Sequence, residues 1–381
     1  MIFLDHAATS PVRREALEAM WPYLTGAFGN PSSPHRLGDE ASRALGWARD
    51  VVAAATGTRP GDVVFTSGGT EADNLALKGI ALGAPRGRHL VVSAVEHEAV
   101  LESASYLNRM HGFDLSIVPV DEHGLVTHDV LAAVLRPETT LVSVQLANNE
   151  VGTIQPLREL AELAHAAGAA VHTDAVQAAG WLPLGLPELG VDALSLAGHK
   201  VGAPKGTGAL IVRGRQPLEP VLHGGGQERG RRSGTENVAG AVAFATALEL
   251  AERERTETAA RVGSLTAELV TRVLREVPGA RLTGHPDARL PGSASFVFPG
   301  AAGEAVLLEL ERDGVLSSSG SACAVGRDEP SHVLTAMGLP TDLAQTAVRF
   351  TLGRETTADE VSHTADAVVR AVAAVRGIVA G

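Results

Sequence analysis

The chain has 381 residues, of which 45% are hydrophobic and 20% are charged, and its formal net charge is −12. This composition excludes a disordered chain, and the length predicts a large domain together with a smaller one. Because the basic residues form no extended patch and no stretch approaches the ~20 apolar residues of a membrane span, we expect a soluble, cytoplasmic protein without direct nucleic-acid or membrane binding.

Short apolar segments alternate with longer amphipathic ones between about residues 62 and 213. This alternation is typical of the strands and crossover helices of a mostly parallel sheet. The predicted strands cover residues 63–66, 90–95, 115–120, 141–146, 169–173, 193–196 and 209–212. The predicted helices between them include residues 70–82, 97–110 and 157–167. We therefore expect an α/β large domain.

A long helical pattern runs from residue 238 to residue 277 and ends near Pro278 and Gly279. Beyond it we predict a strand over 293–298, a helix over 303–312, a strand over 347–352 and a helix over 357–375. This order is typical of a small α+β domain. We predict that the large domain covers residues 14–256 and that the small domain combines residues 1–13 with residues 257–381.

A glycine-rich turn, Ser67 to Glu71, follows the first predicted strand of the large domain. Its glycines allow backbone N–H groups to approach an anion, and the helix that follows favours negative charge at its first turn. The turn can therefore bind a phosphate through Gly69 and Thr70. It can equally be an ordinary strand-to-helix connection that Thr70 caps.

Two further polar residues follow apolar strands and so reach the sheet edge at which α/β proteins bind ligands. A carboxylate at Asp174 can hold the protonated ring nitrogen of a pyridine cofactor, and an imidazole at His97 can stack on a flat ring. The alternatives are that Asp174 caps the next turn and that His97, at the start of a helix, has a structural role. A metal site of His172 and Asp174 is weakly supported, because a third ligand at suitable spacing is missing, and we expect no metal.

Lysine occurs only at Lys78, Lys200 and Lys205. Lys200 directly follows an apolar strand in a glycine-rich loop, where burying an ammonium group is costly. A Schiff base with a carbonyl cofactor would explain a lysine at this place. Taken alone, Lys200 is explained better as a surface lysine, and only its combination with Asp174 and the Gly69–Thr70 turn favours the cofactor.

The chain contains one cysteine, Cys323, so an intrachain disulfide is impossible and a reducing compartment is suitable. Apart from Val325, the residues that surround it from 317 to 326 are serine, glycine and alanine. Such small residues indicate a loop in which a thiol is accessible, although a buried, unreactive cysteine remains the alternative.

Together these segments resemble the cysteine desulfurases, which belong to the class V aminotransferase group of pyridoxal phosphate (PLP) enzymes. The matching segments follow one another along the chain: residues 4–9, 29–33, 67–74, 96–97, 148–152, 172–177, 198–200, 232–237, 318–323 and 349–354. The resemblance implies fold type I of the PLP-dependent transferases, in which helices flank a mostly parallel α/β sheet and a smaller α+β domain is added.

The resemblance also implies roles at the cofactor ring. Lys200 would carry PLP as a Schiff base and then move a proton between the substrate Cα and the cofactor. Asp174 would pair with the pyridinium nitrogen, and His97 would stack on the ring. Gln177 and Asn149 would contact the ring hydroxyl group.

Phosphate and substrate ligands follow from the same resemblance. The phosphate would be bound by Gly69, Thr70, His199 and, from the partner subunit of a homodimer, Thr235. Arg349, assisted by Asn149, would bind the α-carboxylate of L-cysteine. The family often has a serine where this chain has Ala197, so we expect one phosphate donor fewer and somewhat weaker PLP binding.

Cys323 would attack the sulfur of the bound substrate, release alanine and hold the sulfur as a persulfide for an acceptor protein. That acceptor could serve iron–sulfur cluster assembly or tRNA thiolation. The long loop over residues 318–330 resembles that of the desulfurases of iron–sulfur cluster and nitrogenase maturation. The alternatives are a selenocysteine lyase, another enzyme of the class V aminotransferase fold, and an inactive scaffold that binds sulfur-acceptor proteins.

Overall fold

A computed structural model of the chain describes residues 1–83, 85–320 and 330–379. The strands in this part are β1 (Ile2–Phe3), β2 (Val63–Thr66), β3 (His89–Ser93), β4 (Asp114–Val118), β5 (Thr139–Ser143), β6 (Ala170–Asp174), β7 (Ala193–Ala197), β8 (Gly208–Val212), β9 (Arg281–Leu282), β10 (Ser293–Val297), β11 (Val315–Leu316) and β12 (Ala347–Thr351).

The α-helices of the same residues are α1 (Arg14–Thr25), α2 (Arg36–Ala55), α3 (Gly69–Gly83), α4 (Glu98–His111), α5 (His128–Val134), α6 (Leu157–Ala166), α7 (Leu186–Leu189), α8 (Gly198–Val201), α9 (Val238–Glu276), α10 (Gly303–Arg312), α11 (His332–Ala336), α12 (Thr341–Ala344) and α13 (Ala358–Val379). Short 3-10 helices cover Pro60–Asp62 and Glu228–Gly230.

Among the described residues, the large sheet has seven strands in the order β2-β8-β7-β6-β5-β3-β4. Strand β8 is antiparallel to both of its neighbours, and the other neighbouring strands are parallel. Helices α3 and α4 cover one face of the sheet, and α2, α6 and α9 cover the other. Burial on both faces explains why the strands are nearly continuous apolar segments. The predicted mostly parallel α/β sheet is confirmed.

A smaller antiparallel sheet has the strand order β12-β10-β9 and packs against α9, α10 and α13. Phe296 lies between Phe298 and Phe350 in its core, with ring centroids 5.9 and 6.2 Å away. Strand β1 pairs in parallel with β11, so the N-terminal segment lies beside this second core. The N-terminal segment thereby leads directly from the smaller core to the edge of the large sheet.

Helix α9 contributes to both cores. Phe244 and Leu248 lie in the core of the large sheet, whereas Val262 and Leu269 lie in the core of the smaller one. The predicted division between residues 256 and 257 therefore falls inside a continuous helix, and the domain boundaries stay a prediction.

Most predicted elements occur within a few residues of their predicted positions, and α10 begins and ends at the predicted residues. The strand predicted over 90–95 ends earlier than expected. Strand β3 ends at Ser93, and Ala94 and Val95 lie beyond it. There the carbonyl group of Val95 accepts N–H groups from the side chains of Gln145 and Asn148 instead of a strand neighbour. The chain thereby turns towards the edge of the sheet.

Candidate functional site

The carboxyl ends of β2, β3, β5, β6 and β7 meet at one edge of the large sheet, because these strands run in the same direction. A cavity of about 370 Å³ opens there. Segments that follow these strands line it, together with the N-terminal segment and β12. The lining includes nine of the predicted site residues: Gly69, Thr70, His97, Asn149, Asp174, Gln177, His199, Lys200 and Arg349.

The first turn of α3 lies at one end of this cavity. A side chain at Gly69 is excluded, because a Cβ atom there would lie 2.7 Å from Cγ2 of Val176. The same atom would lie 3.5 Å from Cβ of Ala197, which also lines the cavity. Since the first backbone N–H groups of a helix have no partner inside the helix, this turn can bind a phosphate.

Lys200 lies in the short helix α8, directly after β7. Only glycine fits at Gly198, the first residue of this helix, because a Cβ atom would lie 2.2 Å from Oγ1 of Thr207. Nζ of Lys200 donates hydrogen bonds to the carbonyl groups of Ala7 and Ala8, the second at 2.8 Å. The N-terminal segment thus holds the amine at the cavity.

Asp174 ends β6 and is 8% exposed. Its Oδ1 accepts the backbone N–H group of Val176 at 2.8 Å. Burial raises the pKa of Asp174, whereas the hydrogen bond from Val176 and the nearby His97 and Lys200 lower it. A cation beside this carboxylate, such as a protonated ring nitrogen, would compensate for the burial.

Two other buried acids interact with Asp174. Burial raises the pKa of Glu96 to about 8, and burial together with the charge of Asp174 raises the pKa of Asp73 well above its usual value. Oδ1 of Asp73 and Oε2 of Glu96 have no hydrogen-bond partner among the described residues. At neutral pH Glu96 therefore carries a proton. A cation beside the cluster, such as a protonated ring nitrogen, would favour ionisation of Asp174.

His172 is fully buried in the sheet and takes no part in the cavity. Its Nδ1 lies 2.9 Å from the hydroxyl group of Ser143, and its Nε2 lies 2.9 Å from that of Ser195. Burial lowers the pKa of His172 to about 3, so the ring is neutral. Within residues 1–83, 85–320 and 330–379, no group of three or more potential metal-ligating side chains occurs.

Three imidazole rings, those of His97, His199 and His332, line the cavity. His97 caps α4, and its Nδ1 accepts the N–H group of the second helical residue at 3.1 Å, so its Nε2 carries a proton. Nδ1 of His199 lies 3.2 Å from Oγ1 of Thr9. Burial and the charges of Lys200 and Lys205 lower the pKa of His199 to about 4. His199 is therefore neutral at pH 7.

Arg349 lies on β12 and is 2% exposed. Its Nη2 donates to Oδ1 of Asp5 at 2.5 Å, and its Nη1 donates to the carbonyl groups of Asn149 at 2.9 Å and Gly320 at 3.2 Å. Its Nε has no hydrogen-bond partner in the part of the chain that the structure describes. A buried guanidinium with an unused donor can bind a carboxylate.

Gln177 and Asn149 lie on the same cavity. The side-chain amide of Gln177 donates to the carbonyl group of Ala7 at 3.0 Å. The preceding Asn148 is used inside its own loop, where its Oδ1 accepts the N–H groups of the two residues after Asn149, both at 2.8 Å. This loop geometry holds Asn149 at the cavity.

Two predicted site residues are not placed in this cavity. Thr235 is exposed and lines a neighbouring cavity with Ser67 and Phe244. That Thr235 binds the cofactor phosphate of a partner subunit stays a prediction. Cys323 lies outside the described residues, as does most of the loop predicted over residues 318–330.

Comparison with known proteins agrees with this geometry. A model of the family described as aminotransferase class V matches residues 2–363. This chain belongs to the class V aminotransferase family. Among the described residues of this family member, no helix is both long enough and apolar enough to cross a membrane.

Within the class V aminotransferases, the chain is similar to cysteine desulfurases. It is 43% identical over 378 residues to the cysteine desulfurase IscS of Dictyoglomus turgidum, which covers 99% of this chain and 96% of the relative. It is 44% identical over 376 residues to the putative cysteine desulfurase IscS 1 of Bacillus subtilis, covering 97% and 99%. A solved NifS-like protein has a TM-score of 0.90 at 37% identity, covering 97% and 98% of the two chains. The predicted resemblance and fold type are confirmed.

Class V aminotransferases of this group depend on PLP, and the cavity fits this cofactor. The first turn of α3 and the imidazole of His199 suit a phosphate, and the absent side chain at Gly69 leaves room for it. Lys200 and Asp174 suit an aldehyde carbon and a ring nitrogen. The chemistry of the donor set therefore agrees with PLP.

Three residues around the cavity were missing from the predicted site: Asp5, Asp73 and Glu96. Asp5 pairs with Arg349, which is 344 residues away in the sequence. Asp73 and Glu96 are notable because they are buried acids, a property that local sequence does not reveal. The position of Glu96 directly before His97 was the one available signal.

Proposed function

We propose that this protein is a PLP-dependent L-cysteine desulfurase, which converts L-cysteine to alanine and passes the sulfur to an acceptor protein. The observation that carries the proposal is the convergence of Lys200, Asp174 and Arg349 on one cavity. These residues are an amine, a buried carboxylate and a buried guanidinium with an unused donor. They match the aldehyde group, the ring nitrogen and the carboxylate of a bound amino acid.

Bound PLP supplies an electron sink for the substrate Cα. Lys200 would hold the cofactor through Nζ and then carry a proton to and from Cα. Asp174 would keep a proton on the ring nitrogen, and His97 would lie against the ring. Gln177 and Asn149 would contact the ring hydroxyl group.

Arg349 would bind the substrate α-carboxylate, assisted by Asn149. Burial strengthens this interaction, because the guanidinium is nearly excluded from water. The N-terminal segment supports both cationic groups, since Asp5 pairs with Arg349 and the carbonyl groups of Ala7 and Ala8 accept from Lys200. The site would therefore favour amino acids with a free carboxylate.

Cys323, the single cysteine of the chain, would receive the sulfur. The substrate bond between Cβ and Sγ breaks, and a bond forms between that sulfur and Sγ of Cys323. The substrate Cβ gains a proton, so alanine leaves and a persulfide stays on Cys323. No external oxidant or reductant is needed, because the acceptor thiol and the substrate supply all atoms and electrons.

A homodimer is part of this proposal. Thr235 is exposed, so its hydroxyl group is accessible to the cofactor phosphate of a partner subunit. Leu17, Trp21 and Leu24 form an exposed apolar stripe on α1, and Phe28 continues it. A second copy of the chain would cover such a stripe.

The sulfur acceptor would be a protein of iron–sulfur cluster assembly or of tRNA thiolation. A reducing cytoplasm would suit a thiol that must alternate between free and persulfide forms. A selenocysteine lyase is the second candidate. Cys323 favours a desulfurase over a plain aminotransferase, because an aminotransferase does not need a sulfur-accepting thiol.

The Cys323→Ser variant tests the proposal. We expect sulfide release from L-cysteine with a reducing thiol to fall by at least ~10³-fold, because the variant lacks the sulfur-accepting nucleophile. Binding of L-cysteine should still change the absorption of the cofactor. Borohydride treatment followed by peptide mapping should place the cofactor on Lys200.

A plain aminotransferase would keep its turnover in the Cys323→Ser variant, and this result would contradict the proposal. A preparation that cannot be loaded with PLP would instead favour an inactive scaffold. Parallel assays of the wild-type protein with L-selenocysteine and L-cysteine would distinguish a selenocysteine lyase from a desulfurase. A lyase would prefer L-selenocysteine by a wide margin.

A further inference from the structure

The loop over residues 222–237, which we call the Thr235 loop, is attached by two ion pairs to α2 and α3, two helices that flank the large sheet. Glu228 forms two hydrogen bonds with Arg49, at 2.7 and 2.8 Å. Arg232 forms two with Glu71: Nε lies 2.8 Å from Oε1, and Nη2 lies 3.3 Å from Oε2. The second pair joins the loop to the first turn of α3.

The Thr235 loop is also connected internally. The N–H group of Ser233 donates to the carbonyl group of Leu222 at 3.1 Å, and its Oγ accepts from Gly226 at 3.2 Å. Oε1 of Gln227 accepts the N–H group of Gly234 at 2.9 Å. Because these bonds make the loop one unit, the position of Arg232 is transmitted to Thr235.

Glu71 belongs equally to the phosphate end of the cavity. It follows Thr70 directly, and its Oε2 accepts the N–H group of Ser67 at 2.8 Å. Partial burial would raise the pKa of Glu71, but the hydrogen bonds from Arg232 and Ser67 outweigh it and lower the pKa. Glu71 is therefore ionised, and it connects the turn of Gly69 and Thr70 to the Thr235 loop.

We propose that the ion pair between Arg232 and Glu71 aligns two groups that bind cofactor phosphates. One is the turn of Gly69 and Thr70, which binds the phosphate of the chain's own cofactor. The other is Thr235, which binds the phosphate of the partner's cofactor. Both members are positioning residues. The inference rests on the proposed function and on a homodimer in which Thr235 acts across the interface.

The charge of Glu71 allows positioning to be distinguished from simple electrostatics. A carboxylate near a phosphate repels it, so removing the negative charge would by electrostatics alone strengthen phosphate binding. If Glu71 acts by positioning, its removal weakens phosphate binding instead. The two accounts therefore predict opposite signs.

The experiment is a titration of cofactor-depleted Glu71→Gln protein with PLP and, separately, with pyridoxal, which lacks the phosphate. We expect PLP binding to weaken roughly tenfold, the value of a hydrogen bond to a charged group, and pyridoxal binding to stay as in the wild type. Sedimentation should show an unchanged dimer, and thermal unfolding should show an intact fold.

Two arginine variants serve as matched tests. Arg232→Met should reproduce the selective loss of PLP affinity. Arg231→Met should leave both affinities unchanged, because within the described part of the chain this neighbouring guanidinium donates only to the carbonyl group of Gly61, at 3.3 Å. Reversing the pair, with Glu71→Arg and Arg232→Glu together, should restore part of the PLP affinity that either single change removes.

Stronger PLP binding by Glu71→Gln would overturn the inference, as would equal losses of PLP and pyridoxal affinity. Unaltered PLP binding by both Glu71→Gln and Arg232→Met would also overturn it. Failure of the proposed function looks different: there the wild-type protein itself would bind no PLP, or would release no sulfur from L-cysteine.

Discussion

At the scale of single residues, Ala197 occupies the position at which the resemblance to the cysteine desulfurases predicts a serine. The residue is 1% exposed, lines the cavity and lies beside Gly69 at the phosphate end. Ser195 cannot replace the absent hydroxyl group, because its own hydroxyl bonds to His172 in the core. A serine at position 197 would therefore add a donor where the phosphate is expected.

We predict that Ala197→Ser tightens PLP binding about fivefold, the value of one additional hydrogen bond. Titration of the cofactor-depleted protein with PLP measures this change. Pyridoxal provides the control, since its affinity should not respond to a phosphate donor. A PLP affinity equal to that of the wild type would refute the prediction.

Individual site residues could be predicted when they lie at the end of an apolar strand or a few residues beyond it. Lys200, Asp174 and His97 all do, and parallel strands bring such positions to one edge. Asp5 could not be found in this way, because only the folded chain brings it to Arg349. The same limit applies to the protonated state of Glu96, which depends on complete burial rather than on neighbouring residues.

At the scale of elements, periodicity predicted the longer strands and the helices α3, α4, α6, α9, α10 and α13, because burial imposes it. Helices α1 and α2 were not predicted. Strands covered on both faces are continuously apolar, and long helices that pack against a core repeat their apolar residues. The short helices α7, α8, α11 and α12 lack enough turns to show a period. Their positions depend on local glycine and proline residues and on the contacts of the loops around them.

The Thr235 loop is the element that depends most on tertiary contacts. Glu228 and Arg229 adopt φ values of 49° and 58°, a left-handed conformation that is unfavourable for residues other than glycine. Glu228 is 5% exposed and is held by Arg49, and its Oε2 also accepts the N–H group of Phe65 at 3.1 Å. The buried ion pair therefore compensates for an unfavourable backbone.

We predict that Glu228→Gln lowers the free energy of unfolding by about 3–5 kcal/mol, because it leaves Arg49 buried without a counter-ion. Urea unfolding of the variant and the wild type measures the difference. Glu18→Gln is the control: its pair with Arg14 is exposed, so the loss should be below about 0.5 kcal/mol. Similar losses in the two variants would contradict the prediction, because the buried pair would then contribute no more to the free energy of unfolding than the exposed pair does.

At the scale of the whole molecule, the proposed active site is shared between two chains. Each chain would provide Lys200 for its own cofactor and Thr235 for the partner's. A mixture of two inactive variants can therefore regain activity, but only if the two residues act on different sites.

We predict that Lys200→Ala and Thr235→Val chains, exchanged at equal amounts, regain about a quarter of the wild-type sulfide release at limiting PLP, since mixed dimers contain one intact site. Each variant alone should be nearly inactive under these conditions. The control is the same exchange with two Lys200→Ala preparations that carry different tags. Absence of recovery in verified mixed dimers would mean that Thr235 does not act across the interface.

The amino-acid sequence determined the fold class and the cofactor chemistry, because both depend on patterns that recur at short range: apolar strands followed by polar residues, and ordered family motifs. The tertiary structure alone decided which charges meet. Asp5 with Arg349, Arg49 with Glu228, and Glu71 with Arg232 join residues that are 344, 179 and 161 positions apart. Such pairs arise when strand order and loop closure bring distant segments together, and burial then sets their strength and protonation.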